Sequence, residues 1–383
     1  MPFPFVNLLR GVTWITGGPG TVTVTAGTGG ITIVTDGTGV AFARYGVPTT
    51  VNKRYQLTWS NDTSTVMFRM VGTTQGGSDV VGYNASTTGD NKLEFTATST
   101  TTWISFQRPT AATVRISSII MQEIPENVAS ARRLNGLNQY FSLDAQAAGL
   151  RISNANWYVG GWIAFTYLPT APVYIADFGR VDPSGTGGGA GRVRMFWDPD
   201  QTKLAVSTAE TTGSTYRENY IVTTIEPDTW YYVGMIAWAN ADAQVVLGTV
   251  RGSSYIGTAI PPVSASEVCR VLQIGARVVN PRTSFAPVRY SNWLWTSNWV
   301  PNASQMTELA AAVPPEDITG FTPPAGTAMY HWPMVVASGN EPSIRDTAPL
   351  VSNSTYGSPI TVFGPPLPGS ETAVVSPLDI IIA

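Results

Sequence analysis

Alternation of β-branched and small polar residues, broken about every ten positions by glycine-bearing turns, is what most limits the folds open to this chain. Thr21-Val-Thr-Val-Thr25 leads into Gly29-Gly30, then Ile31-Thr-Ile-Val-Thr35, then Asp36-Gly37. A period of two sends odd and even positions to opposite faces of a strand, one toward a core and the other toward water. The pattern returns in Arg54-Tyr-Gln-Leu-Thr-Trp59, Val66-Met-Phe-Arg-Met-Val71, Lys92-Leu-Glu-Phe-Thr-Ala97, Trp103-Ile-Ser-Phe106 and Val114-Arg-Ile-Ser-Ser-Ile-Ile-Met121. It continues through Trp162-Ile-Ala-Phe-Thr-Tyr167, Val173-Tyr-Ile-Ala-Asp-Phe178, Arg192-Val-Arg-Met-Phe-Trp197, Lys203-Leu-Ala-Val-Ser207 and Trp230-Tyr-Tyr-Val-Gly-Met-Ile-Ala237. Many short strands at this spacing specify sandwiches or barrels.

The chain of 383 residues is too long for one ordinary core. Ile124-Pro-Glu-Asn-Val-Ala-Ser130 interrupts the alternation and reads as a boundary. The expected organisation is a sandwich over 1–124, a linker over 125–138, a second sandwich over 139–349 and an extended tail over 350–383. One helix is expected from Ala303 to Ala312, capped by Asn302 with Gln305 three positions on, and ended by Pro314-Pro315. The run from Pro183 to Gly191 holds too much glycine for anything but a loop. The fold class is therefore all-β: two antiparallel β-sandwich (jelly-roll) domains, one short helix and an extended C-terminal tail.

Charged residues reach 12%, about half of ordinary usage. The cations are 19 Arg and 3 Lys, scattered singly apart from Arg132-Arg133, and the net charge is -3. No basic stripe is available to track phosphates, so no nucleic-acid partner is expected. Arginine over lysine suits interfaces; codon usage explains it equally well. No apolar run approaches the roughly 18 residues of a membrane span. The opening Met-Pro-Phe-Pro-Phe-Val lacks the marks of a signal peptide, which places synthesis and folding in the cytoplasm.

One cysteine, Cys269, excludes an internal disulfide and reads as a small buried hydrophobe. With a single histidine, His331, and a single cysteine, a soft-metal site has too few ligands, and neither metal nor cofactor is expected. His331 lies between Tyr330 and Trp332 and reads as a structural histidine. Asp198 and Asp200 are candidate calcium ligands, although Asp beside Pro is ordinary turn chemistry. Glu226 and Asp228 are the candidate pair for glycoside hydrolysis. Aromatic side chains are the abundant resource: Trp293, Trp295 and Trp299 are the candidate glycan-binding residues, with core packing as the competing role for each.

Four stretches in order carry a resemblance to laminin-G-like, concanavalin-type jelly rolls: Gln139-Tyr-Phe-Ser-Leu-Asp144, Trp157-Tyr-Val-Gly-Gly-Trp-Ile-Ala-Phe165, Thr229-Trp-Tyr-Tyr-Val233, and Leu272-Gln-Ile-Gly275 with Tyr290-Ser-Asn-Trp-Leu-Trp295. The glycosidases of that fold carry Glu-x-Asp-x-x-Glu, whereas Glu226-Pro-Asp-Thr-Trp-Tyr231 ends in tyrosine, so the resemblance implies binding rather than catalysis. The first region more loosely resembles carbohydrate-binding-module sandwiches through Asn52-Lys-Arg-Tyr-Gln-Leu-Thr-Trp59, Phe95-Thr-Ala-Thr98 and Val114 to Glu123. Modules of both kinds usually work outside cells, yet no export signal or disulfide is visible here. A bacteriophage virion surface protein, assembled in the host cytoplasm and released by lysis, reconciles the two. The expected role is a non-enzymatic capsid decoration protein that contacts other virion subunits, with homo-oligomers, trimers by family analogy. The alternative is a tail-fibre or adhesin component that binds host-surface glycans, and a polysaccharide-degrading glycosidase or lyase ranks third.

Overall fold

The computed structural model describes residues 3–4, 6–25, 30–124, 128–136, 139–144, 156–179, 192–209, 216–237, 243–257, 271–275, 285–318, 320–322, 324, 329–334, 351–353 and 360–366. Within them the architecture is all-β, with four antiparallel sheets grouped as two sandwiches and a single α-helix.

The first sandwich pairs two five-stranded sheets. Its front sheet runs Ile15–Gly17, Ala41–Pro48, Thr101–Arg108, Met67–Gly72, Val81–Ser86. Its back sheet runs Thr21–Thr25, Gly30–Thr35, Ala112–Glu123, Arg54–Asn61, Gly89–Thr96. The alternation resolves as expected: Ala41, Ala43, Val47, Ile104 and Phe106 turn inward to meet Ile31, Ile33, Leu57 and Trp59. A β-bulge between Ser117 and Ile120, where Ser118 has φ 50°, shifts the parity of the longest strand. The bulge is why Val114 and Ile116 face the core before it, and Ile119 and Met121 after it.

The second sandwich is larger. Its nine-stranded sheet centres on Trp157–Phe165, between Thr229–Ala237 and Val288–Ser297. Both central strands, Trp157–Phe165 and Thr229–Ala237, are buried at every position. One face meets the sandwich core, and the other is covered by the helix Ala303–Leu309. Met306 and Leu309 lie against Tyr158, Trp162, Trp230 and Tyr232, and the Trp162 indole N–H donates to the Leu309 carbonyl at 3.2 Å. The expected capping box is present, with Asn302 and Gln305 satisfying each other's backbone N–H. The opposing eight-stranded sheet runs Ser254–Gly257, Tyr216–Val222, Lys203–Ala209, Arg192–Asp198, Val173–Gly179, Val271–Ile274, Tyr140–Asp144, Val351–Asn353.

Two expectations are corrected. The stretch 125–138, expected to link the sandwiches, supplies the strand Val128–Arg133 inside the nine-stranded sheet, and Ala131 is buried beneath the helix cluster. The strand pairs with Ile360–Pro366 along its length and with Val288–Ser297 at Arg132 and Arg133, which holds its Ala-Ser-Ala stretch extended despite weak β-propensity. Within 350–383, expected as an extended tail, Val351–Asn353 and Ile360–Pro366 are sheet strands, and Val362 is buried. Residues 367–383 lie outside the described residues.

The chain crosses between sandwiches more than once. Phe3–Pro4 pairs with Trp230 and Thr229 of the second sandwich before the first begins. Arg10 then holds Asp228, its Nε donating at 2.5 Å, and donates to the Thr166 carbonyl at 3.0 Å. At the junction Arg133 donates to Ser60 Oγ at 3.0 Å with Asp90 at 3.6 Å, and Arg289 donates to Gln122 at 2.9 Å. Burial pushes both guanidinium groups down from the ordinary arginine range, Arg289 to about 9, and pushes the Asp90 carboxyl up against the opposing pull of Arg133.

Candidate functional site

Of the candidate glycan-binding tryptophans, Trp293 and Trp295 take the competing role and fill the core. Trp293 and Trp295 are both 0% exposed. Trp293 packs edge-on to Tyr290 at 5.4 Å and Trp295 edge-on to Phe178 at 4.6 Å. They share one face of their strand, and that face is the sandwich interior, so neither ring can reach a sugar. Trp299 is partly buried and lies edge-on to Phe321 at 5.1 Å beside the helix cluster.

The candidate acids also serve the fold. Asp198 is buried and its Oδ1 accepts the backbone N–H of Asp200 at 3.1 Å and of Gln201 at 3.4 Å, a turn motif rather than an open ligand set. No group of three or more metal-ligating side chains occurs among the described residues. Asp228 is buried in the left-handed region, φ 58°, tied to Arg10 while Glu226 is exposed, and the Glu226 N–H donates to the Tyr231 hydroxyl at 3.0 Å. Tyrosine at that sixth position therefore closes the turn. His331 is buried, with the Glu316 carboxylate 3.3 Å from Nδ1. Cys269 and the glycine run 183–191 lie outside the described residues.

A polar row crosses the outer face of the eight-stranded sheet, where Asp177, Arg194, Ser207 and Glu218 stand opposite one another on four successive strands. Glu218 is paired with Lys203 at 2.5 Å. Three strand steps separate Asp177 from Glu218, about 14 Å at roughly 4.8 Å per step. That exceeds the roughly 9.5 Å over which two carboxylates can share a glycosidic bond.

The front sheet of the first sandwich presents a different face. Strand register places Phe42, Gln107 and Phe68 in one outward row, and Arg44, Ser105 and Met70 in the next. Gly46, Trp103 and Gly72 form a third. Glycines leave room for the rings: a Cβ on Gly46 would stand 3.1 Å from the Trp103 indole, and one on Gly17 would stand 2.8 Å from the Phe42 ring. At the far side Phe68 and Tyr83 stack at 4.5 Å with 8° between their planes, and Tyr83 is 46% exposed. The Arg44 guanidinium lies 3.8 Å over the Phe42 ring.

The face has a fixed wall. Asp79 accepts from the Thr73 N–H at 3.0 Å and from its hydroxyl at 2.7 Å, closing the loop that carries Gly76 to the Arg44 guanidinium. Those two bonds hold the Asp79 carboxyl below its ordinary range. The buried Ser105 hydroxyl has no protein hydrogen-bond partner, and Gln107 meets only the Met70 sulfur, at 3.9 Å.

One sequence signal pointed here. Trp103-Ile-Ser-Phe106 carries aromatic rings at both parities, so a strand with one face in the core must show a ring on the other. The glycines that make room for the rings come from neighbouring strands, and no local pattern reveals them.

Neither a family model nor a curated protein matches this chain. Among solved structures, it is similar to a candidate carbohydrate-binding protein from Bacteroides ovatus, at 11% identity and a TM-score of 0.42, over 87% of this chain and 95% of that one. It is also similar to the CBM40 of a Ruminococcus gnavus IT-sialidase, bound to α2,3-sialyllactose (8% identity, TM-score 0.34, 48% of this chain and 99% of that one). A third likeness is to Trypanosoma rangeli sialidase (14%, 0.33), covering 46% of this chain and 27% of that one.

Proposed function

We propose that this protein is a non-catalytic glycan-binding protein, of adhesin type, which holds sugar on the outer face of its front N-terminal sheet. The observation that carries the proposal is the outward Trp103 indole packed against Gly46, beside the Arg44–Phe42 pair and the stacked Phe68–Tyr83 pair. A pyranose has an apolar C–H face that packs on an aromatic plane and a rim of hydroxyls that needs donors and acceptors. Arg44 stands among the rings to supply donors.

Display on a bacteriophage particle, through contacts with other virion subunits in a homo-oligomer, is a separate part of the proposal. The low share of charged residues supports it. Glycan binding ranks first because a described surface supports it.

The test is a glycan array followed by titration of the best hits. Trp103→Ala is expected to weaken binding about 30-fold, the ~2 kcal/mol of a central aromatic anchor, whereas Thr113→Ala on the opposite sheet leaves it unchanged. Wild-type protein that retains no glycan at millimolar concentration would overturn the reading.

A further inference from the structure

Resting on that reading and narrowing it, we infer that the Arg44 face selects glycans bearing a carboxylate, of the uronic-acid or sialic-acid class, over neutral sugars. The Arg44 guanidinium is held between two surfaces. The Phe42 ring lies on one side at 3.8 Å, and the Gly76 turn crowds it so closely that a Cβ there would stand 2.9 Å from Cζ. Such a fork is already ordered before a ligand arrives, so little rotamer freedom is lost on binding.

No carboxylate among the described residues pairs with it. The acids of this sandwich are engaged elsewhere: Asp79 with Thr73, Asp62 with Ser117, Glu94 with Arg54, and Asp90 with Arg133. Arg44 Nε is buried without a protein partner, and Ser105, opposite it in register, is buried with its hydroxyl likewise unpartnered. The neighbouring cations are committed: Arg108 donates to the Thr110 carbonyl at 3.2 Å, and Arg69 turns inward, 5.4 Å over the core Trp59 ring.

A planar guanidinium donates two parallel bonds to a carboxylate, and charge-assisted bonds are roughly twice as strong as those to a neutral hydroxyl. The Trp103 ring in the next row then receives the apolar flank of the same sugar. Arg44 sets the class of sugar, and Trp103 sets the grip.

The test titrates the full chain with trigalacturonate and its methyl ester, with 3′-sialyllactose and lactose, and with sulfated lactose. At least tenfold tighter binding of a carboxylated sugar than of its neutral counterpart is expected, weakening as salt is raised. The galacturonate and sialyl arms separate the two sugar classes. Arg44→Gln is expected to bring the charged and neutral affinities together, and Arg44→Lys to keep only part of the preference. Equal affinity for acid and ester, or sulfated lactose bound as tightly as the carboxylates, would overturn this selectivity and leave glycan binding intact. Failure of the wild type to bind any of the sugars would overturn both. Should Arg44→Gln fail to fold, the acid–ester comparison on wild-type protein still decides.

Discussion

Trp103 and Trp293 show how far one residue's role depends on the two faces of its strand. Both sit in alternating, aromatic-rich strands, yet Trp293 fills the interior of one sandwich while Trp103 lies on the outside of the other. Parity within a strand was legible in the sequence; which parity meets the core is fixed by the partner sheet. Asp62 carries a residue-scale prediction. Burial pushes its carboxyl up to about 6, against the help of Ser117 and Arg115. A folded-state value above the unfolded one, near 3.8, means the folded chain holds the extra proton. Its contribution is then fully present below pH 4 and is lost as pH rises toward 6 and above. Asp62→Asn should therefore gain up to about 3 kcal/mol at pH 7 and little at pH 3, as read by urea denaturation at the two pH values.

At the scale of the element, the front sheet works because small residues on one strand make room for rings on the next. Gly46 has ordinary strand geometry, so Gly46→Ala is tolerated by the backbone but places a methyl 3.1 Å from the Trp103 ring. The expected outcome is a folded protein with an unchanged far-UV spectrum and glycan affinity reduced several-fold, because the indole tilts off the sheet. The helix Ala303–Leu309 offers a cleaner case. Asn302→Ala removes the cap accepting the Gln305 N–H at 3.0 Å and should cost about 1 kcal/mol in thermal denaturation. The start of the helix was legible from its cap and capping box, because those signals are local; its end was not, since it stops at Leu309 rather than running to Ala312. The strand Val128–Arg133 was not, because it owes its extended form to the neighbours on either side. The proposed face was half legible: the rings are written in the sequence, but the room they occupy is made by glycines on other strands.

At the scale of the whole molecule, arginines tie the two sandwiches together. Arg133 and Arg289 are fully buried at the junction, and each reaches a side chain of the first sandwich from the second. Such pairs stabilise little relative to apolar replacements, but breaking one is costly. Arg133→Ala leaves Asp90 buried without its cation, held only by Ser60 and Gln139, and should lower stability by about 3 kcal/mol, whereas Arg133→Met with Asp90→Leu should recover most of the loss. Chemical denaturation of the three proteins checks this, and equal stability of the single and double variants would count against a coupled junction. The described strands nearest the two chain ends, Phe3–Pro4 and Ile360–Pro366, belong to the same nine-stranded sheet. Tension between those points runs through that sheet and bypasses the sugar-facing one. Anchored there and pulled by its neighbours, the molecule would keep its grip on a ligand unloaded for as long as those two pairings hold.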